Sequence, residues 1–307
     1  MATVRFENVC KNYGKVKAVE NLNLEIRGKE FFCLLGPSGC GKSSTLRMVA
    51  GLEKITSGNI YIGSTLVNDL EPRERDIAMA FENYALYPHL TVFENIVFPL
   101  KVQKASEEVK KKKATEVAEI LNITELLDRR IDQLSGGQQQ RVSTGRAIVR
   151  NPQVLLLDEP ISHLDAKLRD HMRGELKRLQ RKLQVTTIYV THDQLEAMSM
   201  ADTVAVMDLG VIQQVGTPYE IFNKPSNLFV ANFVGSPSIN IFGCALQKKG
   251  GEYYLATDSF KYNLSKQVGE LIERSATSIE HLKFGIRPRY IEVYKEKIDT
   301  RNLISAK

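Results

Sequence analysis

The stretch Gly36-Pro37-Ser38-Gly39-Cys40-Gly41-Lys42-Ser43-Ser44 fits G-x-x-x-x-G-K-[ST], the pattern of a phosphate-binding loop. An apolar run, Glu30-Phe-Phe-Cys-Leu-Leu35, precedes it, and Leu46, Val49 and Ala50 follow at helical spacing. Strand, loop and helix in that order are the context the motif requires. The glycines let the backbone wrap a polyphosphate with its N–H groups turned inward. The helix that follows adds unpaired N–H groups and the positive end of its dipole. In that setting Lys42 reaches the β- and γ-phosphates and the Ser43 hydroxyl ligates Mg²⁺. The alternative, a Gly-rich turn before an ordinary helix, leaves the ordered context unexplained.

Outward from the loop the chain alternates as strands do over residues 4–9 and 18–26, with a turn at Tyr13-Gly14. A further strand is expected at 59–62 after Ser57-Gly58, and from about 94 to 134 the pattern becomes helical and charged. Apolar or β-branched runs at 154–157 and 185–190 suit the buried strands of a parallel sheet. Two more strands, 203–207 and 211–215, are joined by a turn at Asp208-Leu-Gly210. After Val234 the texture changes. Gly235-Ser-Pro-Ser238 reads as a linker, and residues 236–307 as a second, β-rich domain behind a first domain of 1–235.

The 307 residues are 43% hydrophobic and 25% charged, ordinary for a globular protein. No run approaches the ~18 apolar residues of a membrane span, and the N-terminus lacks a signal-peptide layout. The expectation is a cytoplasmic chain whose membrane role, if any, comes through a partner. The net charge of +6 is spread along the chain and aromatics are only 7%, which argues against direct nucleic-acid binding. Lys110 to Lys113 follow Glu107 and Glu108 and read as a solvated helix face with i,i+4 pairs. The four cysteines, Cys10, Cys33, Cys40 and Cys244, have no metal-site spacing and are expected to be reduced thiols.

Two further segments carry chemistry. Val154-Leu-Leu-Leu157 ends in Asp158, a carboxylate at a strand's C-terminal end, placed to hold Mg²⁺ beside Ser43. Glu159 follows and would orient or deprotonate an attacking water. One carboxylate for metal and one for water is the division phosphoryl transfer needs. Between these elements lies Leu134-Ser135-Gly136-Gly137-Gln138, where a helix starting at Ser135 leaves amides bare. That is a second anion site, which one chain does not need for one nucleotide.

With this segment the sequence resembles the ABC transporter ATPases, whose signature is LSGGQ. The resemblance implies an α/β P-loop fold with an antiparallel β subdomain and a helical signature subdomain at about 90–150. It also implies a head-to-tail homodimer in which the signature of one copy caps the γ-phosphate held by the other. Tyr13 matches the aromatic that stacks on adenine, and by itself reads as plain surface. His192, after the 185–190 strand, matches the switch histidine at the γ-phosphate. Ser162-His-Leu-Asp165 matches the loop that reaches across the dimer, with His163 where the family commonly has Asn.

Phe81-Glu-Asn-Tyr-Ala-Leu-Tyr-Pro-His-Leu-Thr-Val92 resembles the maltose/glycerol-phosphate importers. Leu168-Arg169, Gly216-Thr-Pro218, Gly235-Ser-Pro237 and Gly285-Ile-Arg-Pro288 agree with that subfamily. The resemblance implies an ATP-hydrolysing subunit on the cytoplasmic face of the membrane, partnered by two permease subunits and an extracytoplasmic solute-binding protein. Its solutes would be sugars or sugar phosphates.

Two departures stand out. Glu82 occupies the place of a Gln that offers an oxygen to Mg²⁺ and the attacking water. Glu keeps the oxygen but loses an N–H₂ donor and adds charge beside the phosphates, so slower hydrolysis is expected. The family's C-terminal domain, built from OB-like β-barrels, is also longer, so a shortened form is expected here. A weakly hydrolysing nucleotide-binding regulator and a soluble, non-transport ATPase of the same family stay open at this point.

Overall fold

The computed structural model describes residues 2–81, 83–162, 164–292 and 302. It divides into two compact units, Met1–Val230 and Ala231–Lys307.

The first unit is built on two sheets. The larger is six-stranded, in the order Val211–Gly216, Thr203–Asp208, Phe31–Leu35, Thr186–Thr191, Val154–Asp158, Ile77–Ala80. Only the Val211–Gly216 edge strand runs antiparallel to its neighbour. The unbroken apolar runs are explained by burial on both faces: Phe31–Leu35, Val154–Asp158 and Thr186–Thr191 are buried at every residue. The smaller sheet is antiparallel, in the order Val16–Ile26, Val4–Tyr13, Ser57–Ile62, Thr65–Leu66. One core joins its inner face (Val4, Phe6, Val19, Leu24, Ile60) to the large sheet through Leu46 and Val49.

Register lines up the chemistry. Leu35 pairs with Thr191, Asp158 with Val190, and Ala80 with Leu157. The residues that follow, Gly36, His192, Glu159 and the segment from Phe81, therefore emerge along one edge of the sheet. That edge, outside the carboxyl ends of parallel strands, is where α/β folds bind ligands.

The helical stretch expected over 94–134 resolves into helices Val92–Val102 and Glu107–Leu121 with two short 3₁₀ turns behind them. Thr91 and Glu94 form a capping box at the first, and Ser106 caps the second. Lys110 pairs with Glu107 at 2.8 Å, a spacing of three residues rather than four. The strand Ile77–Ala80 escapes a periodicity reading because it is only four residues long.

The second unit holds a four-stranded antiparallel sheet in the order Lys261–Leu264, Glu252–Ala256, Asn240–Lys249, Leu282–Ile286. It also has a helix, Lys266–Ser275, which the β-rich reading of this segment did not single out. Gly269 admits this helix onto the sheet, since a Cβ there would lie 2.2 Å from Tyr253 Cγ. The unit's own core is small: Cys244, Leu246, Tyr253 and Leu255, flanked by Ile272, Leu282 and Phe284. All four cysteines of the chain are free thiols.

Candidate functional site

The phosphate-loop pattern lies where the sequence put it, between the buried strand Phe31–Leu35 and the helix Lys42–Ala50. Two of its glycines are sterically required. A Cβ on Gly36 would lie 2.2 Å from Met207 O, and one on Gly41, at φ +106, would lie 2.3 Å from Ala18 O. Pro37, Ser38 and Gly39 form the outer bend, with Ser38 and Gly39 exposed. Cys40 is buried, and burial pushes its thiol pKa up. Lys42 is only 4% exposed. Its Nζ donates to Gly36 O at 2.8 Å and Pro37 O at 2.9 Å, which holds the ammonium over the loop.

Ser43 Oγ donates to Asp158 Oδ1 at 3.0 Å, so residues 115 positions apart in sequence meet at one point. A hydroxyl and a buried carboxylate are hard oxygen donors of the kind Mg²⁺ takes. Glu159 stands next, in the left-handed region at φ 46 although a proline follows. Such a conformation costs about 1–3 kcal/mol and persists only where neighbours impose it. They do so here: Glu159 N donates to Val190 O at 3.0 Å, and Ser162 Oγ donates to Glu159 O at 2.9 Å. The strain turns the Glu159 side chain towards His192, whose Nδ1 lies 2.8 Å from Glu159 Oε2.

The signature segment forms the start of helix Gly136–Ile148 with Ser135 as N-cap. Ser135 Oγ accepts from Gln138 N, and Gln138 Oε1 accepts from Ser135 N at 2.9 Å, a complete capping box. The cap leaves the Gly136 and Gly137 amides without intrahelical acceptors. Gly136 sits under Leu164 and Gly137 under the start of the helix Ala166–Leu183: a Cβ on Gly136 would lie 3.1 Å from Leu164 Cδ2, and one on Gly137 3.3 Å from Leu168 Cδ1. Asp165 caps the helix Ala166–Leu183 by accepting from Leu168 N at 3.0 Å. Arg141, one turn into the signature helix, is tied to that same helix by a bidentate pair with Glu175.

Tyr13 is exposed, with Lys11 Nζ 4.5 Å from its ring centroid. Glu82 and His163 lie outside the described residues. Just beyond position 82, Tyr84 and Ala85 both adopt positive φ, 57 and 47. Arg146, from the signature helix, donates to both carbonyls at 2.8 and 2.6 Å, and Ser143 Oγ donates to Tyr84 O at 3.0 Å. Burial lowers the Arg146 pKa, so this clamp is a desolvated cation working on two carbonyls.

Three contributors were missed by sequence reasoning: the Arg146 clamp, Arg75 beneath the C-terminal end of the Lys42–Ala50 helix, and Glu196 behind His192. No motif marks Arg75, which sits in the charged run Glu71-Pro-Arg-Glu-Arg75. Glu196 carried a signal, since a carboxyl four residues past a switch histidine falls on the buried side of the helix that follows.

A phosphate loop, a strand-end carboxylate bonded to its serine, and a glutamate joined to a histidine define a P-loop ATPase. The comparisons with known proteins say which kind. The ABC transporter family model matches residues 19–162. The trehalose/maltose import ATP-binding protein of Thermococcus litoralis is 50% identical over all of this chain and 84% of its own length. The sn-glycerol-3-phosphate import ATP-binding protein of Bordetella avium is 48% identical over 97% of this chain and 81% of its own. A solved dimeric ATP-binding cassette in a post-hydrolysis state, bound to ADP and Pi, superposes with a TM-score of 0.61 at 33% identity, covering 70% of this chain and 98% of that one. The chain belongs to the ABC transporter family, as an ATP-hydrolysing import subunit. Among the described residues no helix is long and apolar enough to cross a membrane.

Proposed function

We propose that two copies of this chain close head to tail around two ATP molecules, and that closure and hydrolysis drive solute uptake through a membrane permease. One observation carries this reading. The chain has a complete hydrolytic half (Lys42, Ser43, Asp158, Glu159, His192) and a separate capped helix start at Ser135–Gln138 with bare amides that this half does not use.

In the closed pair, Gly36 to Ser44 hold the phosphates, with Lys42 shifting its ammonium from the Gly36 and Pro37 carbonyls to the β- and γ-phosphates. Ser43 and Asp158 would hold Mg²⁺, which would supply charge neutralisation for the phosphates. Glu159 takes the proton of the attacking water, and His192, bonded to Glu159, contacts the γ-phosphate and keeps the carboxylate aimed. Ser135, Gly136, Gly137 and Gln138 of the second copy cap the γ-phosphate with backbone donors, a stabilisation that costs no reorganisation. Tyr13 would stack on adenine, Asp165 would meet the partner copy, and Glu82 would offer the metal an oxygen.

The solutes follow the relatives' names: a sugar or a sugar phosphate, delivered by an extracytoplasmic binding protein to two permease subunits. The chain then sits peripherally on the cytoplasmic face, and the β-rich second unit acts in regulation.

The Glu159→Gln chain tests the pairing by sedimentation. A dimer with MgATP that reverts to monomer without it supports the reading. Adding Gly136→Glu sets a carboxylate against the phosphates and a Cβ against Leu164, and should abolish the dimer. A monomer at saturating MgATP contradicts the pairing.

A further inference from the structure

We propose that Glu196 is a positioning residue for His192, holding the switch turn rigid from behind so that the imidazole meets Glu159. The inference rests on the hydrolytic reading above and adds a residue to it.

Glu196 is 2% exposed, in the helix Gln194–Met200 packed against the large sheet. Burying a carboxyl there costs several kcal/mol unless its oxygens are bonded. One oxygen, Oε2, takes two short hydrogen bonds, from Tyr189 Oη at 2.8 Å and from Thr191 Oγ at 2.6 Å. Because the Thr191 hydroxyl spends its proton on Glu196, its lone pairs are free to accept, and Asp193 N donates to it at 2.9 Å. His192 lies between the two anchored residues. Its flanking backbone is therefore fixed on both sides by one carboxyl, through Thr191 on one side and the Asp193 amide on the other.

Anchoring matters because the imidazole itself is loosely held. The His192 side chain is 54% exposed, and among the described residues its one polar contact is with Glu159, at 2.8 Å. An exposed side chain with one contact keeps its direction only if its backbone is fixed. Asp193 reinforces the turn by accepting from Leu195 N at 2.7 Å and by pairing with Arg169 at 3.5 Å. Arg169 Nε also donates to Leu164 O at 3.2 Å, which ties the turn to the residue packed over Gly136. A merely structural polar group at this depth needs partners; it does not need them to be the two strand residues that lead into the switch histidine.

The test is a double-mutant cycle on steady-state MgATP hydrolysis by the full chain: wild type, Glu196→Ala, His192→Ala and the double variant, with Glu196→Gln as the conservative control. Glu196→Ala should lower kcat at least about tenfold with KM for MgATP within about twofold, since a misaimed catalytic group costs rate and not binding. On the His192→Ala background the same change should leave kcat within about twofold, because Glu196 has nothing left to position. Glu196→Gln keeps an amide oxygen that can accept both hydroxyls and should stay within about threefold of wild type. Thr191→Val, which deletes the relay hydroxyl at almost constant volume, should reproduce the loss if Glu196→Ala folds poorly. The His192 imidazole nitrogen resonances give a readout independent of turnover, and should change in Glu196→Ala and Thr191→Val and not in Glu196→Gln. Equal losses from Glu196→Ala on both backgrounds, or unchanged His192 resonances, would overturn the proposal while leaving the hydrolytic reading intact. A wild-type chain without turnover would sink both.

Discussion

Arg75 offers a quantitative test of how the phosphate loop's helix is held. The helix Lys42–Ala50 ends at Gly51, and its last carbonyls point at a guanidinium that is 6% exposed. Arg75 Nη1 donates to Met48 O at 2.7 Å and Val49 O at 3.0 Å, and Nε donates to Leu70 O at 2.9 Å. Burial lowers the Arg75 pKa, but an arginine so shifted stays charged at any working pH. Arg75→Met keeps most of the side chain's length and deletes these three bonds together with a longer fourth, from Nη2 to Asn68 O at 3.4 Å. Each carbonyl left without its charged donor costs about 1–3 kcal/mol, and a cation at a helix C-terminus adds about 0.3–1 kcal/mol. Met48 O keeps a second donor in Gly51 N, and the variant no longer has to desolvate a guanidinium. The net expectation is a loss of about 3 kcal/mol, or a Tm drop of roughly 6–12 °C for a unit of this size. Arg75→Lys restores the charge without the fork and should recover about half of that loss. Urea denaturation read by circular dichroism, with calorimetry on the same samples, measures both. A loss below about 1 kcal/mol for Arg75→Met would refute the claim that this cation caps the helix.

Gly36→Ala should abolish binding of a fluorescent ATP analogue, because its Cβ would meet Met207 O at 2.2 Å and Cys40 Sγ at 2.7 Å. Gly39→Ala, with nothing within 4 Å, should bind the analogue and lose only the roughly 1–2 kcal/mol of a left-handed alanine. Glu196 carries a pH signature. Burial raises its pKa above the ordinary 4.5, with Asp193 adding to the rise, while the Tyr189 and Thr191 hydroxyls and Arg169 oppose it. The folded state thus holds this proton more tightly than the unfolded chain, so the contribution is present at low pH and is lost as pH rises from about 4.5 through the raised value. Glu196→Gln should accordingly flatten the pH dependence of Tm between about 4.5 and the raised value and be relatively more stable at neutral pH; an unchanged slope in that window counts against the assignment.

Much of the site was legible because its chemistry is written in contiguous residues. The phosphate loop, the strand ending at Asp158, and the Ser135 cap each announce themselves by spacing, since a turn, a strand end and a helix start are local events. Their convergence was legible only through the parallel-sheet reading, which puts Gly36, Glu159 and His192 at one edge once the register is known. What escaped was tertiary. The bond from Arg146 to the Tyr84 and Ala85 carbonyls spans about sixty residues, and nothing in a local window marks it. The left-handed turn at Tyr84 and Ala85 escaped for the same reason: no glycine signals it, because the clamp supplies what sequence propensity does not. The helix Lys266–Ser275 was not singled out within the β-rich reading of 236–307, because only Ser265 marks its start and strands flank it on both sides.

Steady-state MgATP hydrolysis by the full chain, beside Glu159→Gln and Glu82→Gln, tests the central claim most directly. Turnover well above Glu159→Gln and below Glu82→Gln is the expected result, and it makes the chain a working ATPase that Glu at position 82 slows without stopping. Turnover at the Glu159→Gln level in wild type would contradict the account, and restoration by Glu82→Gln would trace the failure to that one carboxylate.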